Sequence, residues 1–99
     1  MCGAPAQGLS AEGIDLAKET VIQGSVVRES EPVGGAYVRL LDSSGEFTAE
    51  VVTSATGQFR FFAAPGRWTV LALAPGGRGE TTVDASKGRI SEVQVAVAS

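Results

Sequence analysis

From Glu19 onward, apolar and polar residues alternate with a period of two, the spacing of a half-buried strand. Ile22, Gly24 and Val26 fall on one face of a first strand, opposite Val21, Gln23, Ser25 and Val27. After a polar connection, residues 36–41 set Ala36, Val38 and Leu40 against Tyr37, Arg39 and Leu41. Further strands are expected over 47–53, 58–62, 68–73 and 80–83. A last one sets Val93, Val95 and Val97 against Glu92, Gln94 and Ala96. Asp42-Ser43-Ser44-Gly45 and Ser54-Ala55-Thr56-Gly57 are turns, because Asp or Ser opens them and Gly accepts a positive φ. The second of these turns is expected to join 47–53 and 58–62 as a hairpin. Seven short strands between such turns predict an all-β fold, a seven-stranded antiparallel β-sandwich. Phe59, Phe61, Trp68, Val38 and Val95 are its expected core.

Residues 1–18 show no sustained alternation and read as a non-β N-terminal arm, leaving 19–99 as the sandwich domain. The inward parity of the strands is filled, yet the outward parity is not simply polar. Tyr37, Arg39 and Leu41 share it with Arg60 and Phe62 on a second strand, and with Leu71 and Leu73 on a third. Water alone is a poor neighbour for such a face. The arm, which carries Leu9, Ile14 and Leu16, is the expected cover, and a partner is the alternative.

Composition narrows the chemistry. Ninety-nine residues, 43% of them apolar and 19% charged, suit one ordered domain. A net charge of −3 offers no basic field for nucleic acid or anionic lipid. No apolar run approaches the ~20 residues of a membrane-spanning helix. The start, MCGAPAQGLSAEG, lacks the basic and apolar regions of a signal peptide. With a single cysteine no internal disulfide forms, so a cytoplasmic location is expected. A mature lipoprotein, which also begins with Cys and small residues, is the alternative.

The chain has no histidine, which removes Ser-His-Asp and Cys-His catalysis and every His-containing zinc site. No metal, no cofactor and no enzymatic constellation is expected. Gly76-Gly77-Arg78-Gly79 lacks phosphate-loop spacing and reads as a hairpin turn. Asp42, Glu46 and Glu50 are too few for a calcium loop. Cys2 is the one nucleophile with an unusual position. Trimming of Met1 would set a free ammonium beside its thiol and favour the thiolate. Arg39 and Arg60 share a parity. On neighbouring strands they would stabilise a thiolate or sulfur oxyanion, and pairing with Glu50 or another surface acid is the plainer expectation.

Two stretches carry a family resemblance. Ile22-Gln23-Gly24-Ser25-Val26, Val33-Gly34-Gly35-Ala36-Tyr37-Val38, Gly57-Gln58-Phe59-Arg60-Phe61 and Pro65-Gly66-Arg67-Trp68 resemble the carboxypeptidase-regulatory or transthyretin-like (prealbumin-like) sandwich superfamily. MCGAPAQG and VRLLDSSGEFTAEVVTSATGQFRFFAAPG, from Val38 to Gly66, resemble a family of short actinobacterial proteins of unknown function. Genes of that family commonly lie beside one for a rhodanese-type thiosulfate sulfurtransferase. The resemblance therefore implies an accessory protein of sulfur metabolism that binds a sulfurtransferase and takes persulfide sulfur on Cys2. Arg39, Arg60, Tyr37 and Phe62 are the candidate anion or partner contacts. A purely structural interaction module, with no chemistry at Cys2, is the alternative.

Overall fold

The computed structural model describes residues 19–98. They form strands β1 (Val21–Arg28), β2 (Glu31–Pro32), β3 (Tyr37–Leu41), β4 (Phe47–Val52), β5 (Gln58–Phe62), β6 (Gly66–Ala74), β7 (Gly77–Ala85) and β8 (Ile90–Ala96). The expected all-β sandwich is present. In one sheet, here sheet A, β1 is central: β5 and the short β2 pair with one of its edges, β8 with the other. In sheet B the order is β4-β3-β6-β7, antiparallel throughout.

Three details differ from the alternation alone. An eighth strand, β2, closes a tight hairpin in which Glu29 and Ser30 take φ of 49° and 71°. Two successive left-handed residues make the turn whose twist suits adjoining strands, and without Asn-Gly the sequence conceals it. Next, β4 and β5 are not a hairpin, because β4 bonds to β3 and β5 bonds to β1. The Ser54–Gly57 turn instead carries the chain from one sheet to the other. It is held by Ser54 Oγ, which accepts from the Thr56 and Gln58 amides at 3.3 and 3.1 Å. Finally, β8 runs parallel to β1. The chain reaches β8 from β7 of the opposite sheet, so no hairpin fixes its direction.

Ile22, Val26, Phe59, Phe61 and Val95 of sheet A meet Val38, Leu40, Val70 and Ala72 of sheet B to make the core. The Phe59 and Phe61 rings are tilted, with centroids 6.0 Å apart, a favourable arrangement for aromatic quadrupoles. Trp68 is only partly buried, near the end of β6, and its indole Nε1 donates to the Ala64 carbonyl at 2.8 Å. β3 pairs with β6 only from Thr69 onward, so Trp68 stands past the end of β3 with β7 alone beside it, which accounts for the shortfall against expectation.

The seam between the sheets depends on bare backbone. A Cβ on Gly24 would overlap the Val93 carbonyl oxygen, and one on Gly79 would overlap that of Ala96. β8 therefore lies closer to β1 and β7 than any side chain allows. Gly77-Arg78-Gly79 is strand rather than the expected turn, and only Pro75-Gly76 turns. The Arg78 amide and carbonyl exchange bonds with the Ala98 backbone at 3.1 and 3.0 Å, tying the end of the chain to β7. Gly24→Ala and Gly79→Ala are each expected to cost about 3 kcal/mol or more, since backbone cannot yield as a side chain does. Phe61→Ala should cost about 3–5 kcal/mol. Urea denaturation measures all three, and losses under about 1 kcal/mol would contradict the packing described.

Candidate interaction surface

The outward residues of sheet B form three rows across its strands. Tyr37 stands between Val52 and Leu73, Arg39 between Glu50 and Leu71, and Leu41 between Phe47 and Thr69. Tyr37, Phe47 and Val52 are 53%, 60% and 43% exposed, while Leu41, Leu71 and Leu73 are half-buried between them. No described strand packs over this face. Arg39 lies at its centre, donating from Nε to Glu50 Oε2 at 2.8 Å with its guanidinium carbon 6.0 Å from the Phe47 ring centroid. An exposed ion pair of this kind adds at most about 1 kcal/mol to stability. Its larger effect is to leave an aromatic surface with its central charges neutralised. At the margin, Arg78–Glu80 and Arg67–Asp84 pair at 3.6 and 3.1 Å.

The five candidate residues do not form one site. Tyr37 and Arg39 are on sheet B, whereas Arg60 and Phe62 are on the outer face of sheet A, on the opposite side of the molecule. Arg60 Nε donates to Gln23 Oε1 at 3.0 Å, and Gln23 Nε2 donates to Glu92 Oε2 at 3.0 Å. The two arginines are therefore not neighbours able to share an anion; Arg39 pairs with Glu50, as the plainer expectation has it, whereas Arg60 bonds to Gln23. Cys2 lies outside the described residues. Alternation gives the facing of each of these side chains, but it does not say which strands share a sheet.

Phe47 and Val52 were not singled out from the sequence. The β3–β4 register shifts between Leu40 and Leu41, so that Leu40 pairs with Ala49 and Leu41 with Phe47. The extra residue, Thr48, brings Phe47 to the same side as Glu50 and Val52 against simple alternation. Beside this bulge, Asp42 organises the β3–β4 turn. Its Oδ1 accepts from Ser44 Oγ at 2.7 Å and from the Ser44 and Glu46 amides at 2.9 Å. These bonds, that of the Ser44 hydroxyl foremost, hold the Asp42 carboxyl below its ordinary 3.8. Among the described residues no group of three or more Asp, Glu, His or Cys could hold a metal ion. Among the described residues there is no helix long and apolar enough to cross a membrane.

The family model described as a protein of unknown function, DUF1416, matches residues 2–97. The chain belongs to this family. Uncharacterized protein Rv0814c of Mycobacterium tuberculosis is 59% identical over 99 residues, covering 98% of this chain and 99% of its own. Among solved structures, a DUF3823 family protein from Parabacteroides merdae superposes with a TM-score of 0.65 at 16% identity, over 83% of this chain. The chain spans only 47% of that protein. The dioxygenase domain of a dioxygenase carbohydrate-binding protein fusion from Streptomyces superposes with a TM-score of 0.60 at 14% identity, covering 94% of this chain and 86% of that one. Likeness at such identities is a likeness of fold and transfers no activity to this DUF1416 chain.

The Asp42 turn gives a direct test of the local electrostatics. In a carboxyl-detected NMR titration, Asp42 should titrate below 3.8. A carboxyl whose folded value is depressed stabilises the fold above its unfolded value and loses that contribution as pH falls through the folded value. Asp42→Asn should therefore flatten the fall in stability on acidification below about pH 4. A carboxyl titrating at or above 3.8 would show that the turn bonds are not formed in solution.

Proposed function

We propose that this protein is a non-catalytic accessory module that binds a partner protein through the outer face of sheet B. The observation that carries this reading is the joint exposure of Tyr37, Phe47 and Val52 around the neutralised Arg39–Glu50 pair. Aromatic side chains bury much area at small cost in conformational entropy, and a paired arginine among them suits the centre of an interface. The partner proposed is a rhodanese-type sulfurtransferase, on the strength of the sequence resemblance, in a sulfur-metabolism setting. Within that complex Cys2 is the proposed sulfur acceptor. Its thiolate attacks the outer sulfur of the enzyme's cysteine persulfide, the sulfur–sulfur bond breaks, and the enzyme thiolate is restored as Cys2 becomes the persulfide. No oxidant is consumed. The rival reading is a scaffold that binds through the same face and carries no sulfur.

Calorimetric titration with the sulfurtransferase, followed by intact-mass measurement after adding thiosulfate, tests both parts. Phe47→Asp and Tyr37→Ala should each weaken binding at least tenfold, about 1.4 kcal/mol, without loss of fold. Cys2→Ser should bind as wild type and lose the enzyme-dependent gain of one sulfur. Binding without any gain on wild type would leave the scaffold. Equal affinity for wild type and Phe47→Asp, or no binding at all, would remove this face and this partner from the account.

A further inference from the structure

The four outer edges of the two sheets are not equally closed. β7 and β8 shut one side of the sandwich, where the Gly79 and Ala96 backbones meet and Arg78 bonds to Ala98. On the other side, Ser54 engages the amide and carbonyl of Gln58 on β5, at 3.1 and 3.0 Å. β4 has nothing of the kind. The Thr53 N–H points toward β3 and donates to the Ala36 carbonyl at 2.9 Å. By the alternation of an antiparallel ladder, Glu50 and Val52 then turn their N–H and C=O groups away from β3. No described strand pairs with that edge. Phe47, Thr48, Glu50 and Val52 are all exposed, and Ala49 and Val51, which pack toward the core, are only half-buried. Open edges usually carry a lysine, a proline or an inward charge against unwanted pairing. β4 has none of these, and the bulge at Thr48 bends only its start. Its sole charge, Glu50, points outward and is already paired with Arg39.

We infer that β4 takes an extended segment of the partner protein as an added strand, with a basic side chain opposite Glu50 and an apolar one opposite Val52. The inference rests on the reading that a partner binds the outer face of sheet B, and says how it binds. Edge and face are continuous, because Phe47 and Val52, two of the three exposed apolar groups of that face, belong to β4. A strand laid along β4 meets the outward amides and carbonyls of Glu50 and Val52 with main-chain hydrogen bonds. Its alternate side chains extend the rows that Arg39–Glu50 and Tyr37–Val52 begin. Charge selects the occupant. Glu50 Oε2 accepts from Arg39 at 2.8 Å on the β3 side, and the exposed Glu46 stands just before β4, so the open side is acidic. A lysine or arginine across from Glu50 is favoured there, and a like charge is disfavoured. A second copy offers no such residue, because β4 contains neither lysine nor arginine. Pairing β4 with itself about a two-fold axis centred on Glu50 would oppose the two carboxylates. Centred on Ala49 or Val51, it would set them diagonally across from each other. A foreign strand with an apolar-x-basic pattern meets the edge without that conflict.

Amide hydrogen exchange, read residue by residue by NMR on the full chain with and without saturating rhodanese-type sulfurtransferase, tests the pairing. In the free chain the Glu50 and Val52 amides should exchange fast and that of Val51, bonded within the ladder, slowly. With the partner, the Glu50 and Val52 amides should slow at least tenfold. Val52→Pro deletes the outward donor and keeps an apolar side chain, whereas Val52→Ala keeps the donor and trims the side chain. In calorimetric titration Val52→Pro should weaken binding at least tenfold more than Val52→Ala, and Glu50→Gln should weaken it at least fivefold. If Val52→Pro does not fold, the exchange measurement decides alone. Binding that shifts Tyr37 and Phe47 without slowing Glu50 and Val52 would overturn the added strand and leave the face in place. Affinity unaltered by Val52→Pro and Glu50→Gln would do the same. No binding at all would remove the partner reading itself, and the added strand with it. Slowing in the free chain that grows with its concentration would give the edge to a second copy and overturn the inference.

Discussion

The close approach of β8 to two glycines is the constraint on which the rest of this small sandwich depends. β8 pairs with β1 along its whole length and leans its backbone against Gly79 of β7, so one strand seals the seam between both sheets. A Cβ at Gly24 or Gly79 would push β8 outward and open the core at Val95 and Val97. Domains of this size bury a smaller fraction of their surface than larger ones do, which makes a well-sealed edge matter. The parallel direction of β8 follows from the same closure, since the strand arrives from the opposite sheet.

With β8 in place, the two outer faces acquire different characters. The face of sheet A is knit by polar side chains, Arg60 to Gln23 to Glu92. That of sheet B is aromatic and aliphatic around one ion pair. The bulge at Thr48 concentrates Phe47 beside Leu41, and the Asp42 turn holds the bulge in position. The aromatic face of sheet B is thus a product of local irregularity on a regular scaffold. Loops and bulges commonly confer function on a sandwich in this way.

Much of this was legible in the sequence, and the limits of legibility have physical causes. Period-two alternation correctly divides Val38 and Leu40 from Tyr37 and Arg39, and Phe59 and Phe61 from Arg60 and Phe62. It carries no information on which strands pair, so Arg60 and Phe62 fell together with Tyr37 although they lie on opposite sides. Phe47 was missed because one inserted residue reverses parity. Gly24 was assigned to the inward face, but a sequence cannot reveal the carbonyl that lies against it. The Glu29–Ser30 hairpin was concealed because these residues are poor formers of the left-handed turn they make. The strand from Gly77 was read short, since glycines that permit close packing look the same as glycines that turn.

The central functional claim is that recognition takes place on the outer face of sheet B. Backbone amide chemical-shift mapping, with unlabelled rhodanese-type sulfurtransferase added to isotope-labelled full-length protein, addresses it most directly. The account expects perturbations centred on Tyr37, Phe47, Glu50, Val52 and Leu71, with Gln23, Arg60 and Glu92 unmoved. Perturbations centred on sheet A, or a spectrum that does not change at saturating partner, would contradict it.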